Sequence, residues 1–285
     1  MTVGYVVLAH RCVPQVERLV RRLATPSTHF AIHLDRRVDA AAHAELERGL
    51  GSMPAVAIVP PRRCHWGGFS LVEATLDALE LLLEGEFDHA VLLSGQDYPV
   101  SPPRRFERRL SALDGRSVLR AVPLPIEYWG AEGGCERYER WHVVSRRALH
   151  VRLPWRRRLP GGLVPYGGGM WWALSRPAVE HVVHHARTDR SLMRFFKHVL
   201  IPDEMFFQTV IMNSHLRDTL VNEDIHYLRW AEGAGRPSVL QAEDLGPALA
   251  AGFPFARKFD VEVAPEALDL LDAALDREEA IDGDR

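Results

Sequence analysis

The sequence contains few cysteines and no arrangement of them that suggests a disulfide framework or a metal site. Three cysteines, Cys12, Cys64 and Cys135, are spread over 285 residues without a CxxC pair or a zinc-type spacing. We therefore predict reduced thiols in a cytoplasmic protein. No apolar run approaches the roughly 20 residues that span a bilayer. Any membrane contact is accordingly expected to be peripheral, at the inner membrane face.

Common nucleotide and metal signatures are also missing. There is neither a GxGxxG nor a GxxxxGK[ST] motif, which disfavours a nicotinamide-dependent Rossmann enzyme and a P-loop protein. The single DxD pattern, at residues 282–284, falls in a charged tail that we expect to fray from Arg277 onward. We predict no metal and no other cofactor. The net charge of −3 gives no indication of nucleic-acid binding.

Apolar runs alternate with helical patterns through the first part of the chain. Strands are predicted at residues 4–9, 30–35, 55–59 and 90–93, with helices between them. This alternation predicts an α/β fold with a mostly parallel, Rossmann-like sheet flanked by helices. Residues 123–168 are predicted to form long loops, and 203–214 a helix. We expect a single domain, 1–285, divided into residues 1–113, residues 114–265, and a C-terminal helix and tail (266–285).

Two acidic positions are candidates for chemistry. Asp97 directly follows an apolar strand, so that it serves either as a general base or as a cap of the helix that begins near Pro102. Asp203 and Glu204 are predicted in the first turn of a helix. There they either complement the helix dipole or, in the case of Glu204, act as a base or an acceptor ligand.

Two cations lie in an aromatic segment near the end of the chain. Arg257 and Lys258 stand between Phe255 and Phe259, and Arg236 lies upstream. Cations held by aromatic packing are suited to neutralise a phosphate. The alternative is a solvated basic pair beside a core strand.

Other segments suggest acceptor contact. The glycines at 167–169 offer bare backbone for close approach by a ligand. The segment 136–141 combines charge and aromatic rings, either as a sugar site or as an exposed charged helix. The basic stretch 152–158 contains Trp155 and is predicted to be a solvated loop, with anionic lipid or acceptor contact as the alternative. His181 and His185 are interpreted as satisfied or solvated histidines rather than metal ligands.

Together these segments resemble the family that joins core 2/I-branching β-1,6-N-acetylglucosaminyltransferases with peptide O-xylosyltransferases. Six motifs match in the family's order and span nearly the whole chain: AIHLD at 31–35, WGG at 66–68, LSGQDYP at 93–99, GGMWWALSR at 168–176, LIPDEMFFQT at 200–209 and FARKFD at 255–260.

The resemblance implies a GT-A fold and an inverting, metal-independent transfer from a UDP-sugar, with xylose or N-acetylglucosamine as the favoured sugars. Asp97 matches the proposed base of the xylosyltransferases, and Glu204 the position that serves as base in the branching enzymes. The last two motifs favour the xylosyltransferase branch, and we favour Asp97. The animal enzymes carry a membrane anchor and disulfides, and the xylosyltransferases a peptide-binding extension, none of which is found here. We therefore expect a bacterial-type member.

The resemblance also assigns binding roles, with residues 1–113 as the nucleotide-sugar half and 114–265 as the acceptor and diphosphate half. The predicted donor and diphosphate contacts are Asp35, Trp66, Gly67, Arg236, Arg257 and Lys258. The predicted acceptor contacts are Glu136, Arg140, Trp171, Trp172 and Asp203. The acceptor is expected to be a glycan, a lipid-linked sugar or a small molecule. A non-catalytic module that binds nucleotide sugars or glycans on the same fold is the alternative, which the retained candidate bases disfavour.

Overall fold

A computed structural model describes residues 1–144, 150–231, 233 and 235–283. Its first part alternates strands and helices, as predicted: β1 (Val3–Ala9), α1 (Val13–Leu23), β2 (Thr28–Leu34), α2 (Ala40–Leu50), β3 (Val56–Val59), α3 (Ser70–Leu82), β4 (His89–Ser94), β5 (Asp97–Pro99) and α4 (Pro103–Ser111).

The second part has shorter elements, several of them outside the central sheet. They are β6 (Ser117–Leu119), β7 (Val122–Pro123), α5 (Cys135–Glu139), β8 (Arg140–Val144), β9 (His150–Arg156), β10 (Tyr166–Gly167), β11 (Trp172–Ser175), α6 (Arg176–Thr188), α7 (Arg190–Phe196), α8 (Phe206–Met212), β12 (Leu220–Val221), β13 (His226–Leu228), α9 (Leu245–Ala250), β14 (Phe255–Arg257) and α10 (Pro265–Gly283).

Seven strands form the central sheet in the order β12-β6-β11-β4-β1-β2-β3. The β1–β2, β1–β4, β2–β3 and β6–β12 pairs are parallel, whereas β11 runs antiparallel to both its neighbours. β1 is buried along its whole length because helices cover both faces. At Gly4 a Cβ would come within 3.0 Å of Leu82 on α3, so the glycine permits close helix packing. The predicted α/β fold with a mostly parallel sheet is confirmed.

Two apolar layers sandwich this sheet. Leu19 of α1 and Leu271 of α10 belong to one layer, and Leu79 of α3 and Val182 of α6 to the other. A smaller sheet, β13-β14-β5, continues the first layer beyond the carboxyl end of β4. No helix among the described residues is long and apolar enough to cross a membrane. The cytoplasmic location, the single domain and its division at 113 and 265 stay predictions.

Three sequence-based expectations were wrong. The middle segment, expected to be loops, contains α5 and an antiparallel β8–β9 hairpin. Asp203 and Glu204, expected in the first turn of a helix, lie in a 3₁₀ turn (Pro202–Glu204) that is separate from α8. The tail expected to fray from Arg277 remains helical to Gly283. Ion pairs from Arg22 and Arg105 to carboxylates on α10 hold that last part against the domain.

Candidate functional site

The carboxyl ends of β1 and β2 bring polar side chains to one edge of the central sheet. Asp35 follows β2 and is buried, accepting hydrogen bonds from the Arg37 side chain at 2.8 and 3.0 Å and from the backbone N–H of Arg37 and Cys64. Burial alone would raise the pKa of Asp35, but these hydrogen bonds outweigh it and leave the pKa below its usual value. Asp35 is therefore an ionised, rigidly held acceptor at the position where parallel sheets bind ligands.

A group of cations faces the same edge. Burial, followed by repulsion from Arg257 and Arg236, lowers the pKa of Lys258. Burial and then the charge of Lys258 likewise lower the pKa of His10, the residue that follows β1. Among the described residues no carboxylate forms an ion pair with the Lys258 ammonium. The mutual repulsion of these groups would be relieved by a bound anion, and a diphosphate is an anion of suitable charge.

Asp97 lies at the junction of the two sheets and is fully buried. One carboxylate oxygen accepts from the Ser94 hydroxyl at 2.9 Å and lies 3.2 Å from Arg257 Nη1. The other accepts from the Ser94 backbone N–H at 2.6 Å and lies 3.2 Å from His226 Nε2. Burial raises the pKa, yet Arg257 and His226 outweigh that effect and bring it to about 2. Asp97 therefore does not cap the helix near Pro102, and it holds Arg257 in place.

Trp171 completes this group. The Arg257 guanidinium stacks over the Trp171 ring at 4.3 Å from its centroid, and the Trp171 and His226 rings are 5.2 Å apart. Register explains the grouping, because Arg257 on β14 pairs directly with Asp97 on β5 and with Leu228 on β13. His226 was not among the residues predicted from the sequence, since a single histidine on a short strand carries no motif.

Glu204 lies in a second group of side chains. Its carboxylate pairs with Arg137 Nη1 at 2.7 Å, and Arg137 in turn stacks on Trp129 at 3.9 Å. The Glu204 side chain is 33% exposed. Arg137 was missed as well, although it lies within the charged segment singled out in the sequence, because charge spacing alone does not reveal which arginine points inward.

The Trp66-Gly67 turn adjoins this second group. The Gly67 carbonyl accepts a hydrogen bond from Ile201 N–H at 3.0 Å, just before the turn that carries Glu204. Gly67 has φ +72°, a left-handed conformation that favours glycine. The Trp66 side chain is 77% exposed, so that its ring is free to stack on a planar ligand.

Residues 167–171 connect the two groups. Gly168 N–H donates to the Glu204 carbonyl at 3.0 Å, while Gly169 approaches Asp224, a neighbour of His226. A Cβ on Gly168 would lie 1.9 Å from the Arg120 carbonyl oxygen. The small residue is thus needed for the packing of the chain against itself, a role that the prediction of ligand approach had not included.

The other predicted acceptor residues are more scattered. Trp172 is completely buried in β11 and packs on Phe207, so it presents no surface to a ligand in this structure. Glu136 lies on α5 and Arg140 at the start of β8, and among the described residues neither side chain forms a hydrogen bond or ion pair with Glu204. Arg236 is exposed near Lys258.

Asp203 is buried beside Glu204, and one of its oxygens has no hydrogen-bond partner. Burial, and then the charge of Glu204, raises the pKa of Asp203 to about 7. Asp203 is therefore buried, whereas Glu204 is partly exposed. Asp203 is also only partly ionised near neutral pH, whereas Asp97 is fully ionised. Within the described part of the chain, no group of three His, Cys, Asp or Glu residues is arranged to hold a metal ion.

Comparison with known proteins finds relatives that agree with the predicted family. The family model described as Core-2/I-Branching enzyme matches residues 3–251. Xylosyltransferase oxt of Drosophila pseudoobscura pseudoobscura is 32% identical over 231 residues, which cover 79% of this chain and 26% of that protein. Xylosyltransferase 2 of Homo sapiens is 28% identical over 295 residues, covering 95% and 33%. The chain thus spans about a quarter to a third of these relatives' lengths.

Among solved structures, the mannosyltransferase PcManGT from Pyrobaculum calidifontis matches 62% of this chain and 45% of its own, at 13% identity and a TM-score of 0.34. Family membership follows instead from the family model, which matches most of the chain. The predicted family is thereby confirmed: the chain belongs to the Core-2/I-branching enzyme family, a family of glycosyltransferases.

Proposed function

We propose that this chain is an inverting, metal-independent glycosyltransferase that moves xylose or N-acetylglucosamine from a UDP-sugar to a hydroxyl of a glycan, a lipid-linked sugar or a small molecule. The observation that carries the proposal is the cation group of Arg236, Arg257 and Lys258 at the carboxyl edge of the sheet, where Lys258 and Asp35 both act on His10, in a member of this family. Fixed cations there stabilise charge on a departing diphosphate.

In the proposed reaction, the acceptor oxygen bonds to the anomeric carbon as the bond from that carbon to the β-phosphate oxygen breaks. UDP departs with the bonding electron pair, and its new negative charge faces Lys258. Arg257, stacked on Trp171 and anchored by Asp97, assists. Because these side chains supply the positive charge, the step needs no divalent ion.

The acceptor's proton passes to a carboxylate, and we assign that role to Glu204 in preference to Asp97. A general base must reach the acceptor hydroxyl and bind its proton at the working pH. Asp97 is fully buried, is surrounded by donors on both oxygens and has a pKa of about 2. Glu204 is partly exposed and engages a single arginine. Asp97 then serves to position Arg257.

The test is UDP release from UDP-xylose and UDP-N-acetylglucosamine with hydroxyl acceptors, in the presence of EDTA. We expect Glu204→Gln to lower kcat by about 10²–10⁴-fold without weakening UDP binding, since it removes only the base. Lys258→Ala should lower kcat by about 10²–10³-fold and also weaken UDP binding, because UDP retains the phosphates.

Two matched controls are available on the surface. Glu180→Gln removes a carboxylate paired with Arg176, and Lys197→Ala removes the chain's other lysine. Both should keep wild-type turnover. Activity that EDTA abolishes and Mn²⁺ restores would disprove the metal-free step. Full turnover in Glu204→Gln, with loss in a folded Asp97→Asn, would reverse the assignment of the base. UDP binding without any sugar transfer would instead indicate a binding module.

A further inference from the structure

The β8–β9 hairpin exposes apolar side chains on its outer face. Val143 and Val151 pair directly across the two strands and are 42% and 38% exposed. Trp155, farther along β9, is 65% exposed. A two-stranded ribbon ordinarily turns its apolar face toward a core. Here Val143, Val151 and Trp155 point to solvent, whereas Trp141 on the same face packs on His198 and Arg157.

The inner face is fixed to the domain by polar contacts. His142 is buried, and its ring hydrogen-bonds to the Glu136 carbonyl on α5 at 2.8 Å and to His150 of the same hairpin at 2.7 Å. Its backbone N–H donates to the His198 carbonyl at 3.0 Å and so joins the hairpin to the domain. Val144 packs beside Gly68, where an added Cβ would lie 3.5 Å from the valine. Because these contacts hold the inner face, the outer valines and Trp155 are available to an external partner.

The hairpin is also strongly basic in a chain whose net charge is −3. Arg152 and Arg156 are exposed on β9, and Arg158 follows it. Arg156 is 71% exposed and approaches Glu139 only at 3.6 Å. Among the described residues, no carboxylate pairs with Arg152 or Arg158. Arg152 pairs with His142 across the strands, so it leaves β9 on the side opposite Val151 and is nevertheless exposed. The hairpin as a whole therefore combines, on its two sides, unneutralised guanidinium groups with a tryptophan and two valines.

We propose that this hairpin binds the surface of a bilayer that contains anionic lipids. Tryptophan is favoured at the boundary between headgroups and acyl chains, and the small valine face permits shallow insertion. Arginine binds phosphate oxygens in pairs and is attracted to the negative surface potential of anionic membranes. Sequence alone favoured a solvated loop here, but exposed apolar side chains and exposed arginines on one short hairpin fit the lipid alternative.

Because the hairpin adjoins the candidate site, its docking on a membrane would also position that site. Val144 contacts Gly68, next to the exposed Trp66 and the turn that leads to Glu204. Binding through the outer face would hold that part of the site close to the lipid headgroups, where a lipid-linked acceptor would be presented. The docking itself rests on the hairpin alone and does not require the proposed transfer reaction.

The experiment is co-sedimentation of the full chain with phosphatidylcholine vesicles that either contain or lack phosphatidylglycerol. We expect binding only to the anionic vesicles, weakening as salt is raised. The double variant Arg152→Ala/Arg156→Ala should lower the partition coefficient by about 30-fold, since each arginine near an anionic surface is worth about a factor of five. Trp155→Ala should weaken binding while the salt dependence persists.

The matched control is Arg187→Ala/Arg217→Ala, which removes two exposed arginines from other elements. This control should bind vesicles like the wild type, and thermal unfolding should show that all variants are folded. Equal loss in the control, wild-type binding by the hairpin double variant or no binding to anionic vesicles at low salt would overturn the proposal. So would heparin binding without vesicle binding, which would point to a soluble polyanion.

Discussion

Two buried carboxyl groups, Asp97 and Asp203, have pKa values displaced in opposite directions. Both are withdrawn from water, which raises a carboxyl pKa. Arg257 and His226 overcome that effect at Asp97, whose pKa falls to about 2. At Asp203 one oxygen has no partner and the neighbouring Glu204 repels its charge, so the pKa rises to about 7. Near neutral pH the first is ionised, whereas the second is only partly ionised.

Asp203 should therefore give the chain a specific pH dependence. Between about pH 4 and pH 7 the folded state keeps a proton that the unfolded chain has released, so the free energy of unfolding falls as pH rises. The slope from this group is at most about 1.4 kcal/mol per pH unit. Asp203→Asn removes this contribution. In urea unfolding, the free energy of unfolding of the variant should therefore rise relative to that of the wild type from pH 4.5 to pH 8.

Buried histidines such as His226 titrate in the same interval with the opposite sign, because burial lowers their pKa. They are common to both proteins and cancel in the difference between wild type and variant. Parallel stability profiles would mean that Asp203 is ionised in the folded chain.

Among the elements, the long strands and helices of the first part were predictable and the short pieces of the second part were not. Apolar runs identified β1 and β4 and, with His33 as an interruption, β2, because strands buried on both faces need such runs. β5 and β14 have three residues each, too few to show a period, and their pairing is what joins Asp97 to Arg257. The sheet topology therefore determines which side chains meet in the site, whereas the local sequence pattern indicates only which residues are candidates.

The β8–β9 hairpin was missed for a different reason. Its apolar residues alternate along each strand, but arginines and Pro154 interrupt the pattern, and the apolar side faces solvent. A search for core-forming strands therefore passes over it. The motif resemblance, in turn, identified Glu204 but gave no information about its partner Arg137, since the two are 67 positions apart in sequence and meet only in the fold.

The glycines that precede β11 allow two explanations to be compared: they are needed for the packing of the chain, or they let a ligand approach the backbone. A Cβ on Gly168 would collide with the Arg120 carbonyl, so Gly168→Ala should lower the free energy of unfolding by about 2 kcal/mol or more. Gly246 lies exposed in α9 with no atom near its would-be Cβ. As the control, Gly246→Ala should raise stability by about 0.5–1 kcal/mol. Urea unfolding measures both.

A stable Gly168→Ala protein that loses only UDP or acceptor binding would favour the ligand interpretation of this glycine. Loss of stability with binding intact in the remaining folded fraction would support the packing interpretation.

For the molecule as a whole, the C-terminal helix connects the start of the chain with the strand that carries Asp97. Asp272 on α10 accepts hydrogen bonds from Arg18 of α1 at 2.7 and 2.9 Å and from the Tyr98 hydroxyl of β5 at 2.8 Å. Tyr98 is buried and adjoins Asp97 in sequence, so this contact fixes the strand that aligns Asp97 with Arg257. Residues near both ends of the chain thus support the same junction.

We expect Asp272→Ala to lower the free energy of unfolding by about 1–3 kcal/mol, because it leaves the Tyr98 hydroxyl without its partner and weakens the hold on Arg18. Asp269 is the matched control: it also pairs with Arg18, at 2.7 Å, but its side chain is largely exposed. Asp269→Ala should cost no more than about 1 kcal/mol, and high salt should reduce that cost. Urea unfolding at low and high salt distinguishes the two variants. Equal, salt-sensitive losses in both would mean that Asp272 acts only as a surface charge and that the Tyr98 contact contributes nothing to the junction.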